Sequence, residues 1–402
     1  MRSPVPINTG RLYDVWPWTR CPSSLFDKTC TAPRAAVAQD VLIVVKTGGT
    51  EQISRLKDQL DTLLSTVPKE NVLVLSDLTE KVDSVPVLDI FADLSPNERK
   101  HYPEFELYTQ IQKLQKEGQD TRMLNAKGGW DLDKYKNLPM ARKIWRDMQE
   151  GNMRKMKWFL FIDTDTYIEW DNLAELLSHF DASSQYFFGS PVWVSDVVFG
   201  HGGTGYVLSY GTMEALNKVS SSIPLDDPMY SQYGLNVTSL CCGDLALAKV
   251  LQDKAGIKIK GFWLMFNGEI PSSTTYGGEI WCEPVVSLHH IGEKNLAALW
   301  TWVEGWKKRT KSVAPLLFKD LFDYIAADIS ATRNDWDNTE EGHRIYPPSL
   351  SQSASSSTPH KIFTSFEQCR AACEADVLCF QFVFQGTSCA LAYWTPERPE
   401  EA

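Results

Sequence analysis

The sequence predicts an α/β domain with a parallel sheet, followed by a small cysteine-rich module. Residues 40–46 and 158–162 are continuous apolar runs, which are typical of strands buried on both faces of a parallel sheet. Four of the nine cysteines lie between residues 369 and 389. A short segment with that density of cysteines is typical of a disulfide-stapled module that has little core of its own.

Size and charge limit the classes of protein that the chain can belong to. With 402 residues, and roughly 100–200 residues per domain, two or three domains are expected. The formal net charge of −11 and the pI near 5.2 exclude the basic footprint of a nucleic-acid-binding protein. No apolar run approaches the roughly 20 residues of a membrane helix. We expect any membrane anchor to lie in a segment absent from this chain.

The first elements follow a β-α-β order. Residues 1–36 contain five prolines and are expected to form an irregular stem. The strand at 40–46 ends at two glycines, and an apolar stripe over 53–67 predicts a helix. A short strand at 72–75 completes the unit, which favours a parallel sheet.

The second half continues the same alternation. Residues 138–148 predict a helix that ends near Gly151, and the strand at 158–162 follows it. We expect Asp171 to cap the next helix. Residues 78–126 show no clear pattern. The remaining predictions are a strand at 205–208, a helix opened by Asp244, a strand at 257–263, a catalytic domain over 37–330, a linker over 331–360 and a module over 361–402.

The chemistry-bearing segment is Asp163-Thr164-Asp165, which directly follows the strand at 158–162. Ligands of parallel α/β sheets bind at the carboxyl ends of strands, so both carboxylates should reach that edge. Mg²⁺ and Mn²⁺ prefer oxygen ligands and accept substrate phosphates in their coordination shell. The pair therefore predicts a metal site that neutralises a leaving diphosphate. Surface acids that cap a turn are the plainer alternative.

A series of motifs, in order along the chain, gives the sequence a family resemblance over roughly residues 38–300. They are Val45-Lys46-Thr47-Gly48, Asp163-Thr164-Asp165-Thr166-Tyr167, Gly202-Gly203-Thr204-Gly205-Tyr206, and the downstream pair Cys242-Gly243-Asp244 and Ser287-Leu288-His289-His290. The chain resembles the fringe and core-1 β1,3-galactosyltransferase group of inverting glycosyltransferases, which have the GT-A (Rossmann-like) fold. Two departures are Thr164, where the family has a middle acid, and Gly243, where it usually has the first of two acids.

The resemblance implies a role for each matching position. Asp165 should bind the metal together with His289 or His290, and Asp163 should lie beside the nucleotide ribose. Asp244 should be the catalytic base, and its place at a helix N-terminus favours the ionised form. The donor-side residues are expected to be Lys46, Thr47, Gly48, Asp77, Lys136, Asp163, Thr164 and Asp165, with Lys134 and Tyr135 nearby. The acceptor-side residues are expected to be Gly202, Gly203, Trp193 and Trp281.

The implied reaction is transfer of a galactose-, glucose- or N-acetylglucosamine-type sugar from a UDP-sugar to a glycan or glycoprotein hydroxyl. A β1,3 linkage and Mn²⁺ or Mg²⁺ dependence are expected. One alternative is a catalytically inactive lectin or adhesion protein of the same fold. Another is a haloacid-dehalogenase-type phosphatase, which also places Asp-x-Asp after an apolar strand but has Thr or Val where this chain has Tyr167.

The cysteines favour an oxidising compartment. The spacing of the last four does not fit the usual Cys-x2-4-Cys pairs of a zinc site. Their segment resembles a PAN/apple module, which implies pairing of Cys369 with Cys389 and of Cys373 with Cys379. We further expect Cys21 to pair with Cys30, and Cys282 with Cys241 or Cys242, leaving one thiol of the latter two free.

Compartment and modularity follow from these features. Asn236 begins an Asn-Val-Thr glycosylation sequence. Together with the disulfides, it predicts the secretory lumen, either in the Golgi as the soluble part of a type II membrane protein or by secretion. The tail after the Ser- and Pro-rich linker is expected to fold without packing on the catalytic domain.

Overall fold

The computed structural model describes residues 34–94, 99–100, 102–124, 126–220, 237–277, 280–311, 315–326, 334, 363–376 and 379–393. Cys21, Cys30 and Asn236 lie outside these residues, as do nearly all of the predicted stem and linker. Residues 34–36 of the predicted stem are helical, since they begin the helix Arg34–Gln39.

An eight-stranded mixed sheet carries the larger part of the chain, with the strand order β11-β7-β10-β5-β1-β2-β4-β3. The strands are β1 Val41–Lys46, β2 Val72–Ser76, β3 Glu80–Val82, β4 Val85–Asp89, β5 Trp158–Asp163, β6 Tyr167–Ile168, β7 Phe187–Gly189, β8 Pro191–Val194, β9 Val197–Gly200, β10 Tyr206–Ser209, β11 Lys260–Gly261, β12 Ser287–Leu288, β13 Gln381–Gln385 and β14 Ser388–Ala392. Strands β5, β1, β2 and β4 run parallel, and β10 is antiparallel to β5 and β7. The predicted α/β class is confirmed.

The described residues contain eleven helices. They are α1 Arg34–Gln39, α2 Ile53–Asp61, α3 Phe105–Lys116, α4 Ala126–Asp133, α5 Asn137–Gln149, α6 Trp170–Ser178, α7 Tyr210–Ser220, α8 Gly243–Ala255, α9 Glu293–Thr310, α10 Phe318–Ala326 and α11 Phe366–Ala375. The stripe of α5 buries Leu138, Ile144 and Met148. Burial of each such side chain stabilises the fold by about 1.5–3 kcal/mol.

Three element boundaries differ from the sequence prediction. Helix α2 ends at Asp61, because the Thr62 hydroxyl donates to the Asp58 carbonyl and the chain turns there. Glu169 is the N-cap of α6, so Asp171 lies in its first turn instead of capping it. The predicted strand at 257–263 reduces to β11, whose two residues pair with the short strand β7.

Contacts divide the chain into two units. One unit spans residues 29–268 and 286–311 and contains the sheet. The other includes residues 269–285, the helix α10 and the C-terminal tail. Within the described residues, no helix is both long enough and apolar enough to span a membrane.

In the tail, α11 packs against the hairpin of β13 and β14. Two disulfides staple it, joining Cys369 to Cys389 and Cys373 to Cys379, which are the pairs that the PAN/apple resemblance implies. The four sulfurs are buried with Phe363, Phe382 and Leu391 in a small core of their own.

The tail is not independent of the segments before it, contrary to the sequence prediction. The ring of Phe380 lies 6.0 Å from that of Trp281 and 5.6 Å from that of Phe322, and all three are buried. Trp281 is only 3% exposed. Its expected contact with the acceptor is therefore wrong, because its indole forms the core that joins the tail to residues 269–285 and α10.

We expect Phe380→Ala to lower the free energy of unfolding of this unit by about 3–5 kcal/mol, because it empties a buried aromatic site. Thermal or denaturant unfolding followed by tryptophan fluorescence measures the loss. Phe366→Ala is the matched control, since Phe366 is half-buried and packs within the tail against Phe382. Equal, small losses in both variants would contradict the role of Phe380.

Candidate active site

The candidate site lies at the carboxyl ends of β1 and β5. The strand register places Lys46, the last residue of β1, opposite Asp163, the last residue of β5. Lys46 Nζ lies 3.3 Å from Asp163 Oδ1. A cavity of about 580 Å³ opens at this edge, between the turn after β1, the Asp163–Asp165 segment and the start of α8.

Two lysines on the β1 side, the buried Lys136 and the partly buried Lys46, are both paired with acids. Lys136 Nζ lies 2.9 Å from Asp77 Oδ2 and 3.2 Å from Asp133 Oδ1, and Lys46 also binds Asp133. Burial lowers the pKa of Lys46, but the charges of Asp133 and Asp163 outweigh it and leave the pKa well above its usual value. Both lysines are therefore cationic and matched by carboxylates, as buried charges must be.

The turn after β1 is held in place by these paired lysines and acids. Lys136 Nζ donates to the Thr47 carbonyl at 2.7 Å, and the Gly49 N–H donates to Asp77 Oδ1 at 2.6 Å. A Cβ on Gly48 would lie 3.3 Å from Lys136 Nζ. The turn is thus held close to the acid–lysine network with its backbone facing the cavity.

Glu51 is a site residue that the sequence analysis missed. Its Oε2 accepts a hydrogen bond of 2.8 Å from the hydroxyl of Thr164, the residue between the two aspartates. Burial raises the pKa of Glu51 to about 7, against the lowering effect of Lys136. Thr164 stands where the resembling family has an acid, and a carboxyl group from the β1–α2 turn reaches the same position.

Asp165 lies with two histidines in a group that could hold a metal. Its Oδ1 is 3.3 Å from His289 Nε2, its Oδ2 is 4.0 Å from His290 Nδ1, and ligand atoms of all three lie within 4.8 Å of one another. Burial raises the pKa of Asp165, but the hydrogen bond and charge of His289 outweigh it, so the pKa is lowered. One carboxylate and two imidazoles fit a divalent cation.

The same group contains an unsatisfied polar atom. His289 Nδ1 is buried and has no hydrogen-bond partner in the described part of the chain. Thr166 fixes the loop beside it: its hydroxyl accepts from the Asp163 N–H at 3.1 Å and donates to the Gly203 carbonyl at 2.7 Å. The aspartate loop and the glycine turn are therefore held as one rigid edge.

Asp244 faces the cavity from the first turn of α8. Its Oδ2 accepts from the Gly202 N–H at 2.7 Å and its Oδ1 from the Leu245 N–H at 2.9 Å. Burial raises the pKa of Asp244, with Lys46 acting in the opposite direction. The carboxylate is therefore oriented by two backbone donors, and a raised pKa makes it a stronger base.

The glycine turn brings this carboxylate and the histidine together. Gly202 contacts Asp244, while a Cβ on the next residue, Gly203, would fall on the imidazole ring of His289. His201, the residue before them, was also missed by the sequence analysis. Its ring lies 5.3 Å from that of His289, and burial lowers its pKa.

We expect Gly203→Ala to weaken divalent-metal affinity by roughly 10–100-fold, the usual effect of disturbing the support of a metal ligand. The new methyl group would displace the buried ring of His289. Calorimetric titration of Mn²⁺ in the presence of UDP measures the change. Gly268→Ala is the control, because its Cβ would meet only Thr204 Cγ2 at 3.8 Å, an ordinary contact. Unchanged affinity in Gly203→Ala would place the metal elsewhere.

Most of the residues predicted for the site line this one cleft or support it. Those in the cleft or directly beneath it are Lys46, Thr47, Gly48, Asp77, Lys136, Asp163, Thr164, Asp165, Gly202, Gly203, Asp244, His289 and His290. Trp193 lies outside it, exposed on the hairpin of β8 and β9. Lys134 and Tyr135 turn away from it and contact Glu104.

The cysteine pairing at the cleft differs from the prediction. Cys241 is bonded to Cys242, directly before α8, so neither is available to Cys282 and neither is a free thiol. Cys282 is itself disulfide-bonded.

Weak signals existed for two of the missed residues. Asp133 lies three residues before Lys136, a spacing that places two side chains on one helical face. His201 directly precedes the glycine motif. No sequence pattern pointed to Glu51 as a site residue, because its partner Thr164 is 113 residues away in the chain.

Comparison with known proteins gives a family match and a likeness to a solved structure. Residues 107–239 match the family model described as Fringe-like. The match includes Asp163, Asp165 and Gly202 and ends before Asp244 and His289. The chain is also similar to a solved structure titled "Crystal structure of a glycosyltransferase involved in the glycosylation of the major capsid of PBCV-1". That likeness covers 65% of this chain and 99% of the other, with 10% identity and a TM-score of 0.28.

A TM-score this low assigns neither a fold nor an activity to this chain. The family match is the stronger finding, because it contains the aspartate pair and the glycine turn that meet in the cleft. Residues 107–239 are therefore similar to the Fringe-like family.

Proposed function

We propose that the chain is an inverting, divalent-metal-dependent glycosyltransferase that moves a sugar from a UDP-sugar to a hydroxyl of a glycan or glycoprotein. One observation carries the proposal. The adjacent residues Gly202 and Gly203 contact, respectively, a carboxylate oriented for proton transfer and a histidine of the candidate metal group. A base and a metal site on one turn are what a displacement at a nucleotide-sugar requires.

On the donor side, the turn after β1 and Asp163 would bind the nucleotide. Asp165 with His289, and His290 at the exposed edge, would hold Mn²⁺ or Mg²⁺. That cation would supply charge neutralisation for the departing diphosphate. Lys46 and Lys136 are already paired with acids, so their role is to fix Asp163 and the Thr47 carbonyl in place.

On the acceptor side, Asp244 would be the base. The acceptor hydroxyl loses its proton to this carboxylate as its oxygen forms a bond to the anomeric carbon. The bond from that carbon to the diphosphate oxygen breaks on the opposite face, which inverts the configuration. The Gly202 and Leu245 N–H groups hold the carboxylate in one orientation throughout.

The finer assignments rest on the family resemblance. We propose a galactose-, glucose- or N-acetylglucosamine-type donor, a β1,3 linkage, and residence in the secretory lumen, in the Golgi, or outside the cell. The described disulfides support an oxidising compartment.

A donor screen tests the proposal. UDP-galactose, UDP-glucose, UDP-N-acetylglucosamine and UDP-N-acetylgalactosamine are each added with Mn²⁺, and the melting temperature and release of UDP are measured. A donor at 100 times its Kd should add about 2.7 kcal/mol of apparent stability. Release of UDP that chelation abolishes supports the transferase. Release of inorganic phosphate would instead indicate a phosphatase, and donor binding without turnover would indicate an inactive lectin-like protein.

A further inference from the structure

Exposed apolar side chains are concentrated at one edge of the sheet-bearing unit. Among the described residues, six large apolar side chains are exposed, and three belong to this edge. They are Trp193 (67% exposed), Trp263 (58%) and Val194 (41%). Neither indole has an aromatic or hydrogen-bonding partner within the described part of the chain. Contiguous exposed apolar surface is a mark of binding sites.

This edge is continuous with the catalytic cleft. In the hairpin of β8 and β9, Pro191 pairs with Gly200, and the chain then enters the cleft at His201 and Gly202. Trp193 is two residues further along β8 than Pro191, which corresponds to about 7 Å at roughly 3.3 Å per residue. Trp193 thus lies outside the cleft lining, on the same hairpin as the residues that lead into the glycine turn.

Trp263 is held at the same edge by the neighbouring segment. The Phe262 N–H donates to the Gly189 carbonyl at 2.9 Å, directly before β8 begins. A Cβ on Gly261 would lie 2.9 Å from the ring of Pro191. Trp193 comes two residues after Pro191, and Trp263 comes two residues after Gly261. Both tryptophans therefore lie in the chain just past the contact between Pro191 and Gly261.

The chemistry of this edge fits a carbohydrate. A flat indole face matches the C–H face of a pyranose ring, which is apolar while its rim carries hydroxyl groups. The hairpin tip next to Trp193 adds the exposed side chains of Ser195 and Asp196, which accept hydrogen bonds from such hydroxyls. An apolar platform with acceptor groups at its margin suits sugar rings better than the apolar core of a protein interface.

We propose that Trp193 and Trp263 form a distal glycan subsite, which holds sugar units of the acceptor beyond the one that receives the transfer. This inference rests on the proposed function, in which a glycan is the acceptor. The acceptor is then an oligosaccharide, and KM depends on the length of that acceptor.

The test uses the full chain and linear oligosaccharides of one to five units in β-galactose, β-glucose, mannose and N-acetylglucosamine series. Affinity is measured by calorimetry with UDP and Mn²⁺ present. KM is measured for each length, and release of UDP to water without acceptor gives the basal activity. The variants are Trp193→Ala, Trp263→Ala and their combination. Met123→Ala is the control, because Met123 is 85% exposed and lies outside this edge.

We expect one series to bind more tightly as its length increases. The double variant should lose roughly tenfold or more for the longest member, as expected for loss of two stacking faces. Monosaccharide KM and release of UDP to water should match wild type, as should every property of Met123→Ala.

Three results would overturn the subsite. The first is an affinity that does not depend on oligosaccharide length, and the second is a length-dependent affinity that the double variant retains unchanged. The third is a wild type that still releases UDP but binds no oligosaccharide. Tight binding of an unglycosylated peptide that depends on both tryptophans would overturn the carbohydrate assignment. The proposed function fails separately, if the wild type releases no UDP from any donor whether or not it binds glycans.

Discussion

We expect Asp244→Asn to lose transfer activity by roughly 10²–10⁴-fold, the usual contribution of a general base. The variant should bind UDP and metal nearly as well as wild type, because Asp244 contacts the glycine turn and its own helix but none of the candidate metal ligands. Single-turnover transfer and UDP calorimetry on the same preparation separate the two effects.

Asp320→Asn is the matched control for this variant. Asp320 also begins a helix, accepts a backbone hydrogen bond of 3.0 Å from the Leu317 N–H, and has a pKa raised by burial. It belongs to the other unit. Both variants should lose similar stability, and only Asp244→Asn should lose transfer. Near wild-type transfer by Asp244→Asn would reduce Asp244 to a helix cap.

The pH profile gives a second reading of the same carboxylate. A base acts only when deprotonated, so kcat/KM of the wild type should fall as the pH is lowered through the pKa of Asp244. Burial raises that pKa, which places the acid limb above the usual pKa of an aspartate. If kcat/KM stays constant as the pH is lowered to the usual pKa of an aspartate, protonation of Asp244 has no effect on transfer.

The second large effect is expected for Asp165→Asn. Asparagine keeps the shape of the side chain but lacks the charge that a hard cation requires. Mn²⁺-dependent UDP affinity should fall by at least roughly 10–100-fold, the loss caused by disturbing outer ligands alone. Calorimetric titration of UDP with and without Mn²⁺ measures it. UDP binding without metal should change little.

Asp181→Asn is the control for the loss of one acid. Asp181 is exposed, and the partner of its carboxylate within the described part of the chain is Ser183. If Asp165→Asn retains full Mn²⁺-dependent affinity, the group of Asp165 with the two histidines does not hold the metal. The Gly203→Ala result then decides whether His289 has any part in binding it.

The sequence predicted the parts of the site that lie on short, patterned segments. An apolar run followed by two aspartates places both carboxylates at a strand end, whatever the rest of the chain does, and β5 ends at Asp163. The order of the glycine motif, Asp244 and the histidines carried the resemblance. The glycine contacts with Asp244 and His289 could not be predicted, because they depend on packing between segments 42 and 86 residues apart.

The errors have a common physical cause. The predicted acceptor role of Trp281 fails because the burial of this side chain depends on Phe322 and Phe380, which no periodicity connects to it. The independence of the tail was inferred from the polar linker, although a linker's composition says nothing about where the tail packs. Hydrophobic contacts between distant segments are the information that local patterns lack.

The central position of β1 has a consequence for how the chain folds during synthesis. Its partner β2 follows within about 30 residues, but its other partner, β5, emerges roughly 80 residues after β2. Because β5 begins roughly 110 residues after β1 ends, at roughly 5–20 residues per second one edge of β1 stays unpaired for roughly 6–22 s. That edge carries five consecutive apolar residues, 41–45, which form a template for wrong pairing with another chain. The nascent domain is therefore expected to need a chaperone in this interval. Substitutions that weaken the pairing of β5 with β1 should lower the yield of folded protein more than they lower the stability of molecules that have folded.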